Sequence, residues 1–272
     1  MHQVASYHQA LITGASQGLG KAIAEQCARR GMSLILTALP NSGLAQTAIE
    51  LSHRYGVRSD YMEIDLTEPQ APEMLHRFIL SRRLTVSILV NNAGVGYNSR
   101  FEDSSLQENE RCILLNNLAL VKLTHLMLPM LKSQPDGYIL NVSSMAAFFP
   151  MPFMPVYAPS KAFILNFSLA LGEELRATRV SVSALCPNGI RTNEDCVRRI
   201  EAGGLAAQWT CMNPEQVAQA AIVGMLRRRA IIIPGVFNQT IFVIGRFAPL
   251  PLVYSVISLF WGHFAQRAKA IG

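Results

Sequence analysis

Short apolar runs alternate with longer amphipathic stretches along most of the chain. The short runs predict seven strands, and the longer stretches predict six helices between them. The predicted strands are Ala10–Thr13, Ser33–Thr37, Asp60–Ile64, Val86–Asn91, Tyr138–Val142, Val180–Leu185 and Ile231–Ile233. The predicted helices are Leu19–Arg30, Gly43–Tyr55, Ala71–Arg82, Leu106–Lys132, Tyr157–Ala177 and Pro214–Arg229. Strands this apolar are buried on both faces, so the alternation predicts a parallel sheet with helices on either side.

The chain has no internal repeat, low-complexity tract or Gly/Ser-rich linker, and 50% of its 272 residues are hydrophobic. This length and composition suit one α/β domain with a large buried core. We therefore expect residues 1–235 to form a single doubly wound domain around a seven-stranded parallel sheet flanked by helices.

Residues 236–272 form a strongly apolar C-terminal extension with no charged residue between Arg246 and Arg267. Two prolines interrupt it and leave residues 252–264, a stretch shorter than the roughly 20 residues that a membrane span requires. We expect the extension to pack on the same domain, either as a cover over the substrate crevice or as a subunit contact. Reversible lodging in a membrane interface is the alternative.

The formal net charge is +6, and the basic residues are scattered along the chain. The longest basic run, 227–229, ends a predicted helix, where positive charge complements the helix dipole. Because no aromatic residues interleave with this run, we expect no nucleic-acid partner. The five cysteines form no C-x-x-C pair, which is typical of reduced thiols in a cytosolic protein. The N-terminus has no basic region followed by an apolar run, so we expect a cytoplasmic protein.

Candidate binding residues come directly after the predicted strands, where a doubly wound sheet places its ligand crevice. The segment 13–20, Thr-Gly-Ala-Ser-Gln-Gly-Leu-Gly, follows the first strand and opens a helix. Its glycines permit a sharp turn and close approach to a pyrophosphate, which the helix N-terminus also attracts. Asp65 follows the third strand and can accept a hydrogen bond from an adenine amino group, and the Asn-Asn-Ala-Gly segment 91–94 follows the fourth. Each segment taken alone also fits an ordinary turn.

Tyr157 and Lys161 are four residues apart in the segment Tyr-Ala-Pro-Ser-Lys, so they share one face of a helix. A free tyrosine has a pKa of about 10. We expect the ammonium, together with an oxidised nicotinamide, to lower the pKa of Tyr157 and make it a general acid–base.

Ser144 follows the fifth strand and can donate a hydrogen bond to a carbonyl oxygen as negative charge develops there; a polar strand end is the alternative. Asn116 and Asn117 lie within the predicted helix 106–132. Adjacent asparagines are poor helix formers, so we expect a bend or a water site there, or an exposed residue without a role.

In this order, the motifs resemble those of the short-chain dehydrogenase/reductase family over roughly Gln9–Gly235. The resemblance implies a Rossmann-type fold and an NAD(P)-dependent interconversion of a carbonyl and a secondary alcohol, with hydride transfer at C4 of the nicotinamide. It also implies that Tyr157 transfers the proton, that Ser144 polarises the carbonyl, and that Lys161 and Asn116 relay protons through water. Asn116 is preferred to Asn117 as the catalytic asparagine, because Thr124 and Pro129 then lie at the family's customary distances from it along the chain.

The same resemblance implies a set of cofactor-binding residues and no metal. This set is Gly14, Ser16, Gln17, Gly18, Leu19, Gly20, Asp65, Leu66, Asn92, Ala93, Gly94, Tyr157, Lys161, Pro187, Asn188, Gly189, Ile190 and Thr192. Asn188 stands where the family usually has glycine, and asparagine tolerates a positive φ better than most residues.

The end of the second strand carries neither the acid that binds ribose hydroxyls in NAD-dependent proteins nor the arginine that pairs with the 2′-phosphate of NADP. The absent acid removes a repulsion against the phosphate, and Asn41 or Ser42 can hydrogen-bond to it. NADP is therefore the expected cofactor in preference to NAD.

The segment after Ser144 is rich in Phe and Met, which suits an apolar, elongated substrate because Met adapts to shape. A lipid-like, steroid-like or acyl ketone is therefore expected in preference to a sugar or small polyol; core or interface packing is the alternative use of these residues. We also expect a homo-oligomer. A non-catalytic NAD(P)-binding redox sensor or scaffold is the alternative function.

Overall fold

The computed structural model describes residues 8–191, 211–249, 251–253, 255 and 257. Seven parallel strands form one sheet in the order β3-β2-β1-β4-β5-β6-β7. The strands are β1 Gln9–Thr13, β2 Ser33–Ala38, β3 Ser59–Glu63, β4 Ile88–Asn91, β5 Gly137–Val142, β6 Val180–Leu185 and β7 Ile231–Ile232. The doubly wound, Rossmann-type fold expected from the sequence is confirmed, with strand ends that differ by one or two residues.

Helices cover both faces of the sheet. They are α1 Gly18–Ala28, α2 Leu44–Tyr55, α3 Ala71–Ser81, α4 Leu106–Ile113, α5 Leu120–Lys132, α6 Tyr157–Glu174, α7 Pro214–Leu226 and α8 Val236–Phe247. Two short 3-10 turns, Phe101–Asp103 and Met145–Phe148, follow β4 and β5. Helices α6 and α7 end three residues before their predicted ends, so the basic run 227–229 follows α7 and does not lie within it.

The strands are buried on both faces, as their unbroken apolar sequences predict. In β1, Ala10 and Ile12 face a core that includes α1, α2 and α7, whereas Leu11 faces the core on the side of α3 and α5. This period of two recurs in β4, where Ile88 and Leu89 face opposite cores. Because side chains alternate across a strand, each central strand contributes to two separate apolar cores.

The predicted helix Leu106–Lys132 is interrupted by a π-helical turn over Leu114–Ala119, which contains both asparagines. The whole stretch has the length and hydropathy of a membrane span. However, Leu123, Met127 and Leu131 of α5 are buried in the core beside the sheet, which accounts for the apolar sequence. π-turns inside α-helices frequently lie at functional sites, and this one confirms the expected bend.

The sheet brings its functional segments to one edge. Strand β1 pairs with β2 on one side and with β4 on the other, so the strand order reverses between β1 and β4. A crevice for ligands opens at such a reversal, beyond the carboxyl ends of the strands. The segments that follow β1, β4 and β5 therefore meet in one place.

Candidate functional site

The turn after β1 has a backbone that requires glycine. Gly14 and Gly18 have φ values of 65° and 55°, in the left-handed region that other residues rarely adopt. A Cβ on Gly20 would lie 2.0 Å from the carbonyl oxygen of Gly14, so only glycine fits there. Helix α1 begins at Gly18, and the side chain of Gln17 does not cap it. The first amides of α1 are thus open at the crevice, as phosphate binding requires.

Asn92 and Thr13 fasten the segment after β4 to this turn. The side-chain amide of Asn92 donates to the carbonyl oxygens of Thr13 and Gly14, at 2.8 and 3.2 Å. The hydroxyl of Thr13 accepts hydrogen bonds from the backbone amides of Asn92 and Ala93, at 2.9 and 2.8 Å. Asn92 therefore contributes mainly by shaping the backbone of the cleft, in agreement with the expected bonding to neighbouring backbone.

Asp65 lies after β3 with its carboxylate held on both sides. Its Oδ1 accepts hydrogen bonds from the amide and hydroxyl of Thr67, at 2.9 and 2.8 Å, and its Oδ2 accepts one from Arg111 at 3.0 Å. Burial raises the pKa of Asp65, but the bonds from Thr67 and Arg111 outweigh burial and hold this pKa below its usual value. Asp65 is thus an ionised acceptor. Leu66 is buried in the core beside it.

The turn after β2 differs from expectation in one respect. The backbone amide of Asn41 donates to the carboxylate of Glu63, at the end of β3, over 3.4 Å, and the hydroxyl of Ser42 donates to the carbonyl oxygen of Leu39 at 2.6 Å. The hydroxyl of Ser42 and the backbone amide of Asn41 are therefore already engaged, but these bonds do not involve the side-chain amide of Asn41. Sequence reasoning missed Glu63, because it lies 22 residues from Asn41 and meets this turn only through the pairing of β2 with β3.

Tyr157, Lys161 and Ser144 meet at the carboxyl ends of β4 and β5. The hydroxyl of Ser144 lies near the phenol of the partly buried Tyr157 and accepts a hydrogen bond from the backbone amide of Ala146 at 3.1 Å. The Nζ of Lys161 lies 5.6 Å from the centre of the Tyr157 ring and donates to the carbonyl oxygen of Val142 at 2.9 Å. Lys161 is only 4% exposed, so this ammonium is withdrawn from solvent.

The π-turn places Asn116 beside this group. Its side chain both donates to and accepts from the backbone of Val95, at 2.9 Å each, and also donates to the hydroxyl of Ser160 at 2.9 Å. A Cβ on Gly94 would lie 3.0 Å from Asn116 Oδ1 and 3.2 Å from Lys161 Nζ. Asn117 instead donates to the carbonyl oxygen of Ser160. The geometry thus favours Asn116 over Asn117 as the residue next to Lys161.

The pKa values of Tyr157 and Lys161 are both shifted by burial. Burial raises the pKa of Tyr157 above the usual value of tyrosine, and the nearby hydroxyl of Ser144 opposes that rise only in part. Burial also lowers the pKa of Lys161 to about 8, although the nearby thiols of Cys112 and Cys186 act in the opposite direction. In the chain by itself the cost of burying a phenolate dominates, and the lowering expected from the ammonium together with an oxidised nicotinamide stays a prediction.

The segment after β6 reaches the same edge of the sheet. The carbonyl oxygen of Pro187 accepts a hydrogen bond from the amide of Met145, and the amide of Gly189 donates to the side chain of Asn188. Asn188 does not adopt a positive φ, so the turn forms without the conformation that the replaced glycine suggested. Ile190 forms a parallel bridge with Met212. Thr192 lies outside the described residues.

Helix α8 forms a wall of the cleft. Asn238, which is buried, accepts a hydrogen bond from the side chain of Asn188 at 3.3 Å. The ring of Phe242 packs at 4.5 Å from that of Phe148, and Gly245 lies against Phe149. The sequence offered no periodic signal for Asn238, because α8 is apolar on most sides.

An apolar groove lies at the amino end of α6, lined by residues on either side of Tyr157 in the sequence but not by Tyr157 itself. Its volume is about 440 Å³, and it is lined by Pro150, Met151, Pro152, Met154, Pro155, Pro159 and Ile257. The Phe- and Met-rich segment therefore has two uses, since its methionines line the groove and Phe148 and Phe149 pack against α8. These contacts are compatible with both interpretations of that segment, binding of an apolar substrate and packing.

Comparison with known proteins gives consistent matches. A family model described as short chain dehydrogenase matches residues 8–199. The chain is 30% identical over 217 residues to a very-long-chain 3-oxoacyl-CoA reductase of Bos taurus, covering 78% of this chain and 67% of that protein. It is 35% identical over 186 residues to the 17-beta-hydroxysteroid dehydrogenase type 3 of Homo sapiens, covering 67% and 59%. The matches span about two thirds of the length of these curated relatives.

Among solved structures, a short-chain dehydrogenase from Sphingobium yanoikuyae in complex with NADPH is similar to this chain. It has a TM-score of 0.77 and 31% identity, and the match covers 91% of this chain and 95% of that one. At this identity, the shared fold extends over nearly the whole of both chains.

Gly96 is a contact that sequence reasoning missed, and it yields a prediction. A Cβ at this position would lie 2.5 Å from the Tyr157 ring, so we expect Gly96→Ala to displace the phenol and lower kcat about tenfold or more. Steady-state kinetics check this. The matched control is Gly172→Ala in α6, where a Cβ meets ordinary contacts and activity should be unchanged; equal activity of the two variants would contradict the prediction.

Proposed function

The chain belongs to the short-chain dehydrogenase family of oxidoreductases, and we propose that it interconverts a carbonyl and a secondary alcohol on an apolar substrate, using NAD(P). The observation that carries this proposal is the grouping of Tyr157, Ser144 and the buried Lys161 at the carboxyl ends of β4 and β5. A phenol, a hydroxyl and an ammonium placed together in a cleft are suited to proton transfer to an oxygen.

The residues of the cleft fit a nicotinamide dinucleotide. The Gly14–Gly20 turn and the open N-terminus of α1 would hold the pyrophosphate, Asp65 and Leu66 the adenine, and Asn92, Ala93 and Gly94 the adjoining ribose. Pro187, Asn188, Gly189 and Ile190 would line the nicotinamide, together with Thr192. The nicotinamide supplies the hydride when it is bound. The steric requirement for glycine at position 20 supports this fit, because it keeps the turn clear of side chains.

Each catalytic side chain has a distinct task in this proposal. Tyr157 donates its proton to the substrate oxygen, and Ser144 donates a hydrogen bond to that same oxygen as it gains charge. Lys161 and Asn116, which both lie close to the position that a Cβ on Gly94 would occupy, pass a proton from solvent through water to restore the phenol. Because burial raises the pKa of Tyr157, the phenol is protonated at neutral pH, which favours reduction of the carbonyl.

The substrate in this proposal is lipid-like, steroid-like or acyl-like. The groove of about 440 Å³ at the amino end of α6 is lined by proline, methionine and isoleucine side chains, and such a surface binds apolar ligands that need shape adaptation. The names of the two curated relatives, an acyl-CoA reductase and a hydroxysteroid dehydrogenase, support the same class. A sugar would leave its hydroxyl groups without partners in this groove.

We further propose that the protein is cytoplasmic and homo-oligomeric. Among the described residues, Cys27, Cys112 and Cys186 are buried thiols outside any disulfide bond, as is usual in a reducing compartment. Apolar side chains of α4, the π-turn and α6 are exposed on neighbouring helices, which supports a subunit contact there. They are Ile113, Leu114, Leu118, Phe163 and Leu169.

The extension after Gly235 serves in this proposal as the cover of the substrate groove and part of the same domain. Phe242 and Asn238 join α8 to the segments after β5 and β6, and Ile257 lines the groove. The opposite side of α8 exposes Val243, Ile244 and Phe247. This exposed side supports the alternative of a reversible membrane contact.

Replacing the phenol tests the catalytic role. We expect Tyr157→Phe to lower kcat by about 100-fold or more while the affinity for the reduced cofactor, measured by fluorescence, stays within twofold (about 0.4 kcal/mol). Tyr55→Phe is the control, because Tyr55 lies on α2 and bonds with Glu25 outside the cleft. Full turnover by Tyr157→Phe would exclude the proposed proton transfer.

Cofactor choice is tested by binding. We propose that the protein binds NADP in preference to NAD. Glu63 limits this preference, because its carboxylate accepts a hydrogen bond from the backbone amide of Asn41. Wild-type protein should bind NADPH more tightly than NADH, and Glu63→Gln should increase that preference about threefold to tenfold by removing a nearby negative charge. The control is Glu173→Gln, an exposed residue beyond the cleft. Tighter binding of NADH by the wild-type protein would overturn the preference.

The two sides of α8 separate a groove cover from a membrane contact. Phe242→Ala removes the aromatic pair with Phe148 and should raise KM for long-chain apolar ketones about tenfold, with KM for small ketones unchanged. Phe247→Ala, on the exposed side, should leave both values unchanged. The membrane alternative predicts the reverse: Phe247→Ala would weaken co-sedimentation with phospholipid vesicles and Phe242→Ala would have no effect on KM.

A further inference from the structure

Arg111 makes an ion pair that connects two separate parts of the proposed site. It lies on α4, 46 residues from Asp65, and its guanidinium donates to Asp65 Oδ2 at 3.0 Å. Five residues later, the same helical stretch carries Asn116 in its π-turn. No motif of the sequence indicated Arg111, since its partner Asp65 lies 46 residues away in the chain.

The bonds to Asp65 leave one acceptor position in a defined direction. A carboxylate oxygen offers two lone pairs. On Oδ1, both are used by the amide and hydroxyl of Thr67. On Oδ2, Arg111 uses one and leaves the other. The two bonds to Oδ1 already restrict rotation of the carboxylate about the Cβ–Cγ bond, and Arg111 adds a third restraint on the oxygen that keeps an unused lone pair.

This ion pair is poorly suited to a purely structural role. Its side chains are 37% and 25% exposed, and ion pairs with such exposure contribute little to stability. Arg111 also does not shield the cleft from solvent, because it is itself partly exposed. What the ion pair does determine is the orientation and the ionised state of the Asp65 carboxylate.

We propose that Arg111 is a positioning residue for adenine recognition, which holds Asp65 Oδ2 where it accepts a hydrogen bond from the adenine amino group. The inference rests on the proposed function, since it assumes that an adenine dinucleotide binds in the cleft. Arg111 acts only through Asp65 and takes no part in proton transfer.

The test is a thermodynamic cycle with two cofactors and two proteins. The probes are NADPH and its hypoxanthine analogue, which carries a carbonyl oxygen where adenine has the amino group, and binding is followed by nicotinamide fluorescence. Wild-type protein should bind NADPH about tenfold more tightly than the analogue, as expected for a hydrogen bond to a charged acceptor. In Arg111→Met, NADPH affinity should fall about fivefold to tenfold, and analogue affinity less than twofold.

Two further variants keep this test interpretable. Arg111→Lys should restore at least half of the discrimination between the two cofactors, because it keeps a positive donor near Oδ2. Arg228→Met removes another partly exposed ion pair between distant segments, that of Arg228 after α7 with Asp136 just before β5. This variant should leave both affinities unchanged. For Arg111→Met, kcat at saturating NADPH should stay within twofold of wild type.

Three results would overturn the positioning role. These are an equal loss of affinity for both cofactors, an unchanged affinity for NADPH, and tighter binding of NADPH in Arg111→Met. An equal loss would mean that Arg111 contacts the cofactor elsewhere or supports the fold. Failure of the wild-type protein to bind either cofactor is a different result, because it would refute the proposed function itself.

Discussion

The hydrogen bonds between Thr13 and the Asn92-Ala93 backbone are the constraint on which the site depends. They join the turn after β1 to the segment after β4 at the point where the strand order reverses. From there, a buried chain of polar side chains continues along the sheet. Asn91 donates to Asn141 in β5, and Asn141 donates to Ser168 in α6, both at hydrogen-bond distance. Asn91 Oδ1 has no hydrogen-bond partner within the described part of the chain, but the bonds of this network still fix the relative positions of the elements it joins. The glycine turn and the tyrosine helix α6 are therefore held in one frame.

Burying the Lys161 ammonium in this arrangement lowers the stability of the folded protein. Burial lowers its pKa from 10.5 to about 8, so between these values the unfolded chain binds more protons than the folded one. The penalty for burying the ammonium is thus largest below pH 8 and diminishes as pH rises through that window. The carbonyl oxygen of Val142 and the neighbouring Asn116 offset the penalty only in part. A cation in this position is unfavourable for stability, so its presence is explained by what it does to the phenol and to proton transfer.

The parts of this architecture that follow from local sequence were predictable, and the parts that follow from distant contacts were not. The apolar runs predicted the strands of the sheet, and the segments after those strands predicted the glycine loop and the positions of Ser144 and Tyr157. Each of these signals lies within a few consecutive residues. The contact of Gly96 with the Tyr157 ring, the hold of Glu63 on Asn41 and the bond of Asn238 to Asn188 each join segments far apart in the chain. Burial raises the pKa of Tyr157, and this effect depends on the whole fold, so the spacing of Tyr157 and Lys161 does not indicate it.

The stability cost of burying these polar groups distinguishes an enzyme from a binding scaffold. A sensor that only holds a dinucleotide needs the glycine turn, the N-terminus of α1 and an acceptor such as Asp65. It gains nothing from a phenol whose ionisation is suppressed by burial, or from an ammonium that is 4% exposed. Nor does it need the π-turn that aims Asn116 at the same point. These three features each carry a cost in stability, and they converge on the side of the cleft next to the apolar groove. Proton transfer to a substrate oxygen is the task that accounts for all of them together.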